Sequence, residues 1–139
     1  MKKLMMLLVI GAAMSCDADE ATPTNPVNDA FDESMATLLR EGTWMGSGSY
    51  TVSGVAQIYD HNGKKVLLLN NFSSSNGPDL RVYLSTTTGA ASFVNLGKLK
   101  STNGKQTYSI PDGTDIDQFK FVLIWCQQFS VLFGKAETM

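Results

Sequence analysis

From Thr43 onward, short apolar runs alternate with turn signals at intervals of about 8–12 residues, the spacing of an all-β domain. Strands are predicted at residues 43–50, 54–59, 65–72, 79–84, 94–100, 106–110, 118–126 and 129–134. Asn62-Gly63 and Asn103-Gly104 are dipeptides of tight hairpins, and Asn76-Gly77-Pro78 and Pro111-Asp112-Gly113 mark further turns. About eight strands at this spacing predict a single-domain β-sandwich or a closed β-barrel. The run 118–126 is apolar on both faces: Phe119, Phe121, Leu123 and Trp125 point one way, and Val122, Ile124 and Cys126 the other. A strand of that kind belongs in the middle of a sheet, covered on both sides.

One helix is expected before the strands. Phe31, Met35, Leu38 and Leu39 stand at i, i+4, i+7 and i+8. Asn28 or Asp29 would cap it, Arg40 would lie in its last turn and Gly42 would end it. Such a helix would lay its apolar stripe on the β body. The segment before it, Ala21 to Val27, carries Pro23 and Pro26 and no apolar period, and reads as a linker.

The N-terminus has the pattern of a targeting segment. Lys2 and Lys3 precede the apolar stretch from Leu4 to Ala13, which is too short to span a bilayer. It ends in Ala13-Met14-Ser15-Cys16, which resembles a bacterial lipobox with Cys16 as the acylated residue. Simple secretion with a free Cys16 is the alternative. Residues 1–15 are thus expected as signal peptide, 16–28 as lipidated cysteine and linker, and 29–139 as the domain. Asp17, Asp19 and Glu20 resemble a surface-export signal of lipoproteins of the Bacteroides group, whereas an aspartate directly after the cysteine fits inner-membrane retention. The expectation is a lipid-anchored protein of the bacterial cell envelope, at the outer membrane or cell surface, with the membrane as a partner through the anchor.

Charge narrows the partners. Loss of residues 1–15 removes Lys2 and Lys3 and no acids, so the formal net charge moves from −2 to −4. No basic run remains to neutralise phosphates, which argues against nucleic acid. No Ser-His-Asp set, carboxylate pair or phosphate-cradling glycine loop stands out, so no catalytic residue is assigned.

The chain has two cysteines. With Cys16 committed to lipid, Cys126 is the sole thiol of the mature protein. It can serve as a redox or ligand group or as a small buried hydrophobe; its neighbours Trp125, Gln127 and Gln128 carry no charge that would lower its pKa. No metal site is expected. His61, the only histidine, sits in a predicted hairpin tip, and copper or zinc would need more nitrogen or sulfur ligands than one histidine and one thiol supply. Haem held by a Cys126 thiolate is chemically conceivable. A lone thiol exchanges electrons only with a second sulfur or an oxidant, so a redox role calls for a partner, such as an envelope redox protein. Asp79 and Arg81 follow the Asn76-Gly77-Pro78 turn; they either complete that turn or line the edge of a binding surface.

Several of these segments together resemble the DM-thirteen domain family. They are residues 53–58 (SGVAQI), 67–72 (LLLNNF), 76–84 (NGPDLRVYL), 96–99 (LGKL), 106–111 (QTYSIP) and 122–134 (VLIWCQQFSVLFG). The resemblance runs from about Gly42 to Ala136. It implies a compact all-β domain and a role in electron transfer at the cell surface, where family members accompany DOMON and b-type cytochrome domains. It also places Cys126 at the family's signature cysteine.

Overall fold

The computed structural model describes residues 21–139. The expected signal peptide and lipidated Cys16 lie outside the described residues. Two five-stranded sheets face each other across a shared apolar core, so the fold is a sandwich and not a closed barrel. In chain order the strands are β1 (Val27–Asn28), β2 (Thr37–Thr43), β3 (Met45–Gly46), β4 (Val52–His61), β5 (Lys64–Ser74), β6 (Leu80–Ser85), β7 (Phe93–Lys98), β8 (Gly104–Ser109), β9 (Phe121–Cys126) and β10 (Val131–Glu137). The first sheet runs β1-β8-β5-β4-β2 and the second β3-β10-β9-β6-β7.

Alternation decides what the sandwich buries. Ala56 and Ile58 of β4 and Leu67 and Leu69 of β5 meet Val82 and Leu84 of β6 and Val122, Ile124 and Cys126 of β9 in one cluster. Strand β9 lies between β10 and β6, the middle of its sheet, as its two apolar faces predict. Its outward Leu123 is fully buried although no layer lies above it. Neighbouring rings shield that face: Tyr83, paired opposite Leu123, stacks on Phe93 at 4.2 Å and on Trp125 at 6.3 Å.

The expected N-terminal helix does not form. Its place is taken by a single 3₁₀ turn, Glu33–Met35, capped by Asp32, and then by β2, which pairs with β4 from Thr37 to Thr43. The i, i+4, i+7, i+8 stripe spans too few residues to repay helix nucleation, and β2 gains a ladder against β4 instead. Met35, Leu38 and Leu39 are exposed, so the stripe never faces the core.

Two other expectations change. Residues 43–50 are not one strand: the chain leaves the first sheet at Trp44, enters the second as β3 and turns at 47–50. Asn103-Gly104 is not a hairpin, because β7 and β8 belong to different sheets. Asn62-Gly63 does close the β4–β5 hairpin, with φ of 55° and 80° as a type I′ turn requires.

The stretch from Ala21 to Asn28, expected as linker, is held on the body. Ala21 bridges Pro78, Thr22 N–H donates to Gly77 O, Thr102 N–H donates to Pro23 O, and β1 runs parallel to β8. Asp29 then accepts from Thr107 N–H and pairs with Lys100 Nζ at 2.5 Å. This strap passes over one end of the sandwich, where the segments 47–51, 75–79, 99–103 and 127–130 also lie.

Candidate functional site

Cys126 ends β9 at that strapped end. Leu80 of β6 and Val131 of β10 flank it in register, and it is 1% exposed. The chain turns sharply straight after it, through Gln127 to Ser130, where Ser130 has a φ of 52°. Cys126 Sγ donates to Pro78 O at 3.1 Å. Gln127 N–H donates to Asp79 O at 3.1 Å, which ties the segment 76–79 over the sulfur. Cys126 is the free cysteine among the described residues.

Segment 76–79 is fastened from several sides. Asn76 Nδ2 donates to Thr22 O at 3.0 Å, and the Asn76 side-chain oxygen accepts from Gly77 N–H. Gly77 lies on the ring of Phe133; a Cβ there would stand 2.6 Å from Phe133 Cζ, so the lid can come this close only as glycine. Phe133 in turn stacks on Tyr50 at 3.8 Å. Positive φ falls on Asp79, at 52°, and not on Gly77.

Outside the lid lies a shallow open hollow of about 430 Å³, lined by Ala21, Asn76, Gly77, Pro78, Gln128 and Phe129. Phe129 is 62% exposed at its rim. Pro78 joins the two features: its carbonyl accepts from Cys126 Sγ, and the residue lines the hollow. A second hollow, about 290 Å³ beside Lys64 and Asp112, lies at the opposite end of the sandwich.

Asp79 and Arg81 are brought together. Arg81 Nε donates to Asp79 Oδ1 at 2.7 Å, with both side chains about one-fifth exposed. Each satisfies the other beside the lid. Asp79 also holds the lid through its backbone carbonyl, a role that the residue types alone do not reveal. His61 lies at the far end of β4, its ring 5.8 Å from that of Phe31, remote from Cys126. Among the described residues no group of three His, Cys, Asp or Glu side chains converges as metal ligands would.

Thiolate ligation of haem asks for a sulfur that faces a cavity wide enough for the macrocycle. Here the Cys126 sulfur faces the Pro78 carbonyl, and the hollow lies beyond the lid. The residues present do not fit that group.

The arrangement can do thiol chemistry in one way. Cys126 is 1% exposed and belongs to the core cluster, and its Sγ is bonded to the Pro78 carbonyl of segment 76–79, so the thiol can react only if it is first uncovered. Sequence reading found Cys126 through its residue type but not its cover, because the contact with Pro78 spans 48 positions.

The family model described as electron transfer DM13 matches residues 45–138, well over half of the chain and inclusive of Cys126, segment 76–79 and Phe129. No curated protein and no solved structure matches the chain.

Proposed function

This chain belongs to the electron transfer DM13 family, and from that premise we propose that it is an electron-transfer accessory of the bacterial cell envelope. It is anchored by lipid on Cys16, at the outer membrane or cell surface, and its redox group is Cys126. The observation that carries the reading is the placing of the thiol within the matched region, at the end of β9, with its Sγ bonded to Pro78 of the short segment 76–79.

The chemistry is thiol–disulfide exchange with an envelope partner. When the lid opens, the Cys126 thiol loses its proton to solvent and the thiolate attacks one sulfur of the partner's disulfide. An S–S bond forms between Cys126 and the partner, the partner's own S–S bond breaks, and its second sulfur leaves as thiolate. A further thiol resolves the mixed disulfide, regenerates Cys126 and carries the oxidation onward. With Cys16 lipidated the chain supplies one thiol only, so every other sulfur in the exchange comes from partners.

A second reading is favoured by one observation: Cys126 belongs to the main core cluster. On that reading the chain is a non-catalytic binding or scaffold lipoprotein and the sulfur is packing. A cell strain whose only copy carries Cys126→Ala separates the two. The redox reading expects normal abundance and membrane attachment, with slower reduction of a membrane-impermeant aromatic disulfide by intact cells. Reduction at the parental rate would leave the scaffold reading. Radiolabelled palmitate that enters the parental protein but not Cys16→Ala tests the anchor.

A further inference from the structure

The two ends of the sandwich differ in charge. The strapped end is built from segments 21–26, 47–51, 75–79, 99–103 and 127–130, and carries only two charged residues, Asp79 and Lys100. Both are paired internally, Asp79 with Arg81 and Lys100 with Asp29. The opposite end carries Asp112, Asp115, Asp117 and Lys120 in one loop, with Asp60, Lys64 and Lys65 beside the neighbouring hairpin. At the strapped end the exposed side chains are mainly Ala, Ser, Thr, Asn, Gln and Pro, with Lys100 partly exposed in its pair with Asp29 and Phe129 standing out at 62% exposure.

The same end receives the chain from the proposed anchor. Ala21 is fixed at Pro78, on the hollow's edge, and Cys16 precedes it by five positions. Five residues reach at most about 17 Å even when fully extended. A lipid on Cys16 therefore keeps Ala21 within that distance of the bilayer, and Phe129 lines the same hollow as Ala21.

We propose that this end, whose two charged residues are ion-paired, is a membrane-docking tip, which rests on the lipid surface with Phe129 sunk among the headgroups. The inference rests on the lipid anchor of the preceding section. An aromatic ring at the headgroup level is stable there because its apolar body leaves water. The attraction is not electrostatic, since the end has no unpaired cation and Asp17, Asp19 and Glu20 lie between anchor and body. Docking turns the lid over Cys126 toward the membrane, so the exchanging disulfide belongs to a partner held at that surface.

The test uses the full lipidated protein on vesicles of phosphatidylethanolamine and phosphatidylcholine. Phe129→Trp and, at the opposite end, Gln118→Trp are each compared with the parental protein, whose Trp44 and Trp125 supply the background. Lipids brominated near the headgroup should quench the added indole of Phe129→Trp several-fold more than that of Gln118→Trp, with no loss of contrast in high salt. In parallel, backbone amides of residues 127–130 should exchange more slowly with deuterium on vesicles than in detergent-free solution of the Cys16→Ala protein. If the protein does not float with vesicles, the anchor fails and the docking falls with it. If it floats but the two indoles are quenched equally and 127–130 gain no protection, docking is wrong and the anchor stands.

Discussion

On the proposed redox reading, the reactivity of Cys126 in the folded protein is set by the opening of segment 76–79. Exposing the sulfur breaks its bond to Pro78 O and the bonds Gln127 N–H to Asp79 O, Thr22 N–H to Gly77 O, Thr22 Oγ1 to Gly77 O and Asn76 Nδ2 to Thr22 O. A hydrogen bond contributes about 1 kcal/mol net, so local opening costs about 5 kcal/mol. At about 1.4 kcal/mol per tenfold, the folded thiol reacts about 10³- to 10⁴-fold slower than an unfolded cysteine. Global unfolding of a domain this size would cost about 5–15 kcal/mol and give stronger protection. The assay follows an excess of an aromatic disulfide reagent by absorbance at rising urea concentrations. At low urea the rate should be nearly flat, because opening a short segment exposes little surface, and it should steepen only where global unfolding takes over. Asn76→Ala removes one fastening and should raise the flat rate about fivefold. Full urea dependence from zero denaturant would mean that the sulfur is reached only by unfolding. Reaction at the unfolded rate would mean that there is no lid. Either result refutes the reasoning.

Three further outcomes follow from the packing. Tyr108 O–H donates to Gln106 Oε1 at 2.6 Å and accepts from Lys100 N–H at 2.9 Å, and burial pushes its pKa up; Tyr108→Phe leaves two polar groups without this partner and should lower stability by about 1–3 kcal/mol in urea titration. Gly42 lies where a Cβ would meet Glu137 O at 2.2 Å, so Gly42→Ala must push β2 from the C-terminal strand and should lose about 1–3 kcal/mol by thermal melting. Asp29 is held below the ordinary aspartate value of 3.8, first by its hydrogen bond to Lys100 and further by Thr107. Its contribution is present above that ordinary value and is lost as pH falls through its lower folded value. Wild-type melting temperature should therefore drop more steeply on acidification below the ordinary value than that of Asp29→Asn, and Asp29→Asn should already be the less stable protein at neutral pH.

What the sequence shows and what it hides follow from the range of the interactions. The apolar runs at 65–72 and 121–126 are visible because a sheet buries every second residue, and Asn62-Gly63 because its positive φ values are local. The helix was misread because a short stripe at helical spacing also occurs in strands, and pairing with β4, supplied from outside the segment, decided between them. Gly104 resembles a hairpin glycine, yet its φ of 107° and its closeness to Val27 O serve the parallel contact with β1, which no local pattern announces. The same limit applies at the site. Cys126 is conspicuous as a residue type and lies in one of the six segments that carry the family resemblance, but Pro78 beside it and the strap from Ala21 to Asp29 are brought there by contacts far apart in the chain.

The most direct test of Cys126 as the redox group is equilibration of the purified folded protein with glutathione buffers of increasing oxidised fraction, followed by acid quenching and mass measurement of the intact chain. The account predicts one glutathione on Cys126, added and removed reversibly across the series while the β-sheet circular dichroism stays unchanged. A protein that takes up no glutathione until its circular dichroism is lost would contradict it, and would leave Cys126 as a core residue.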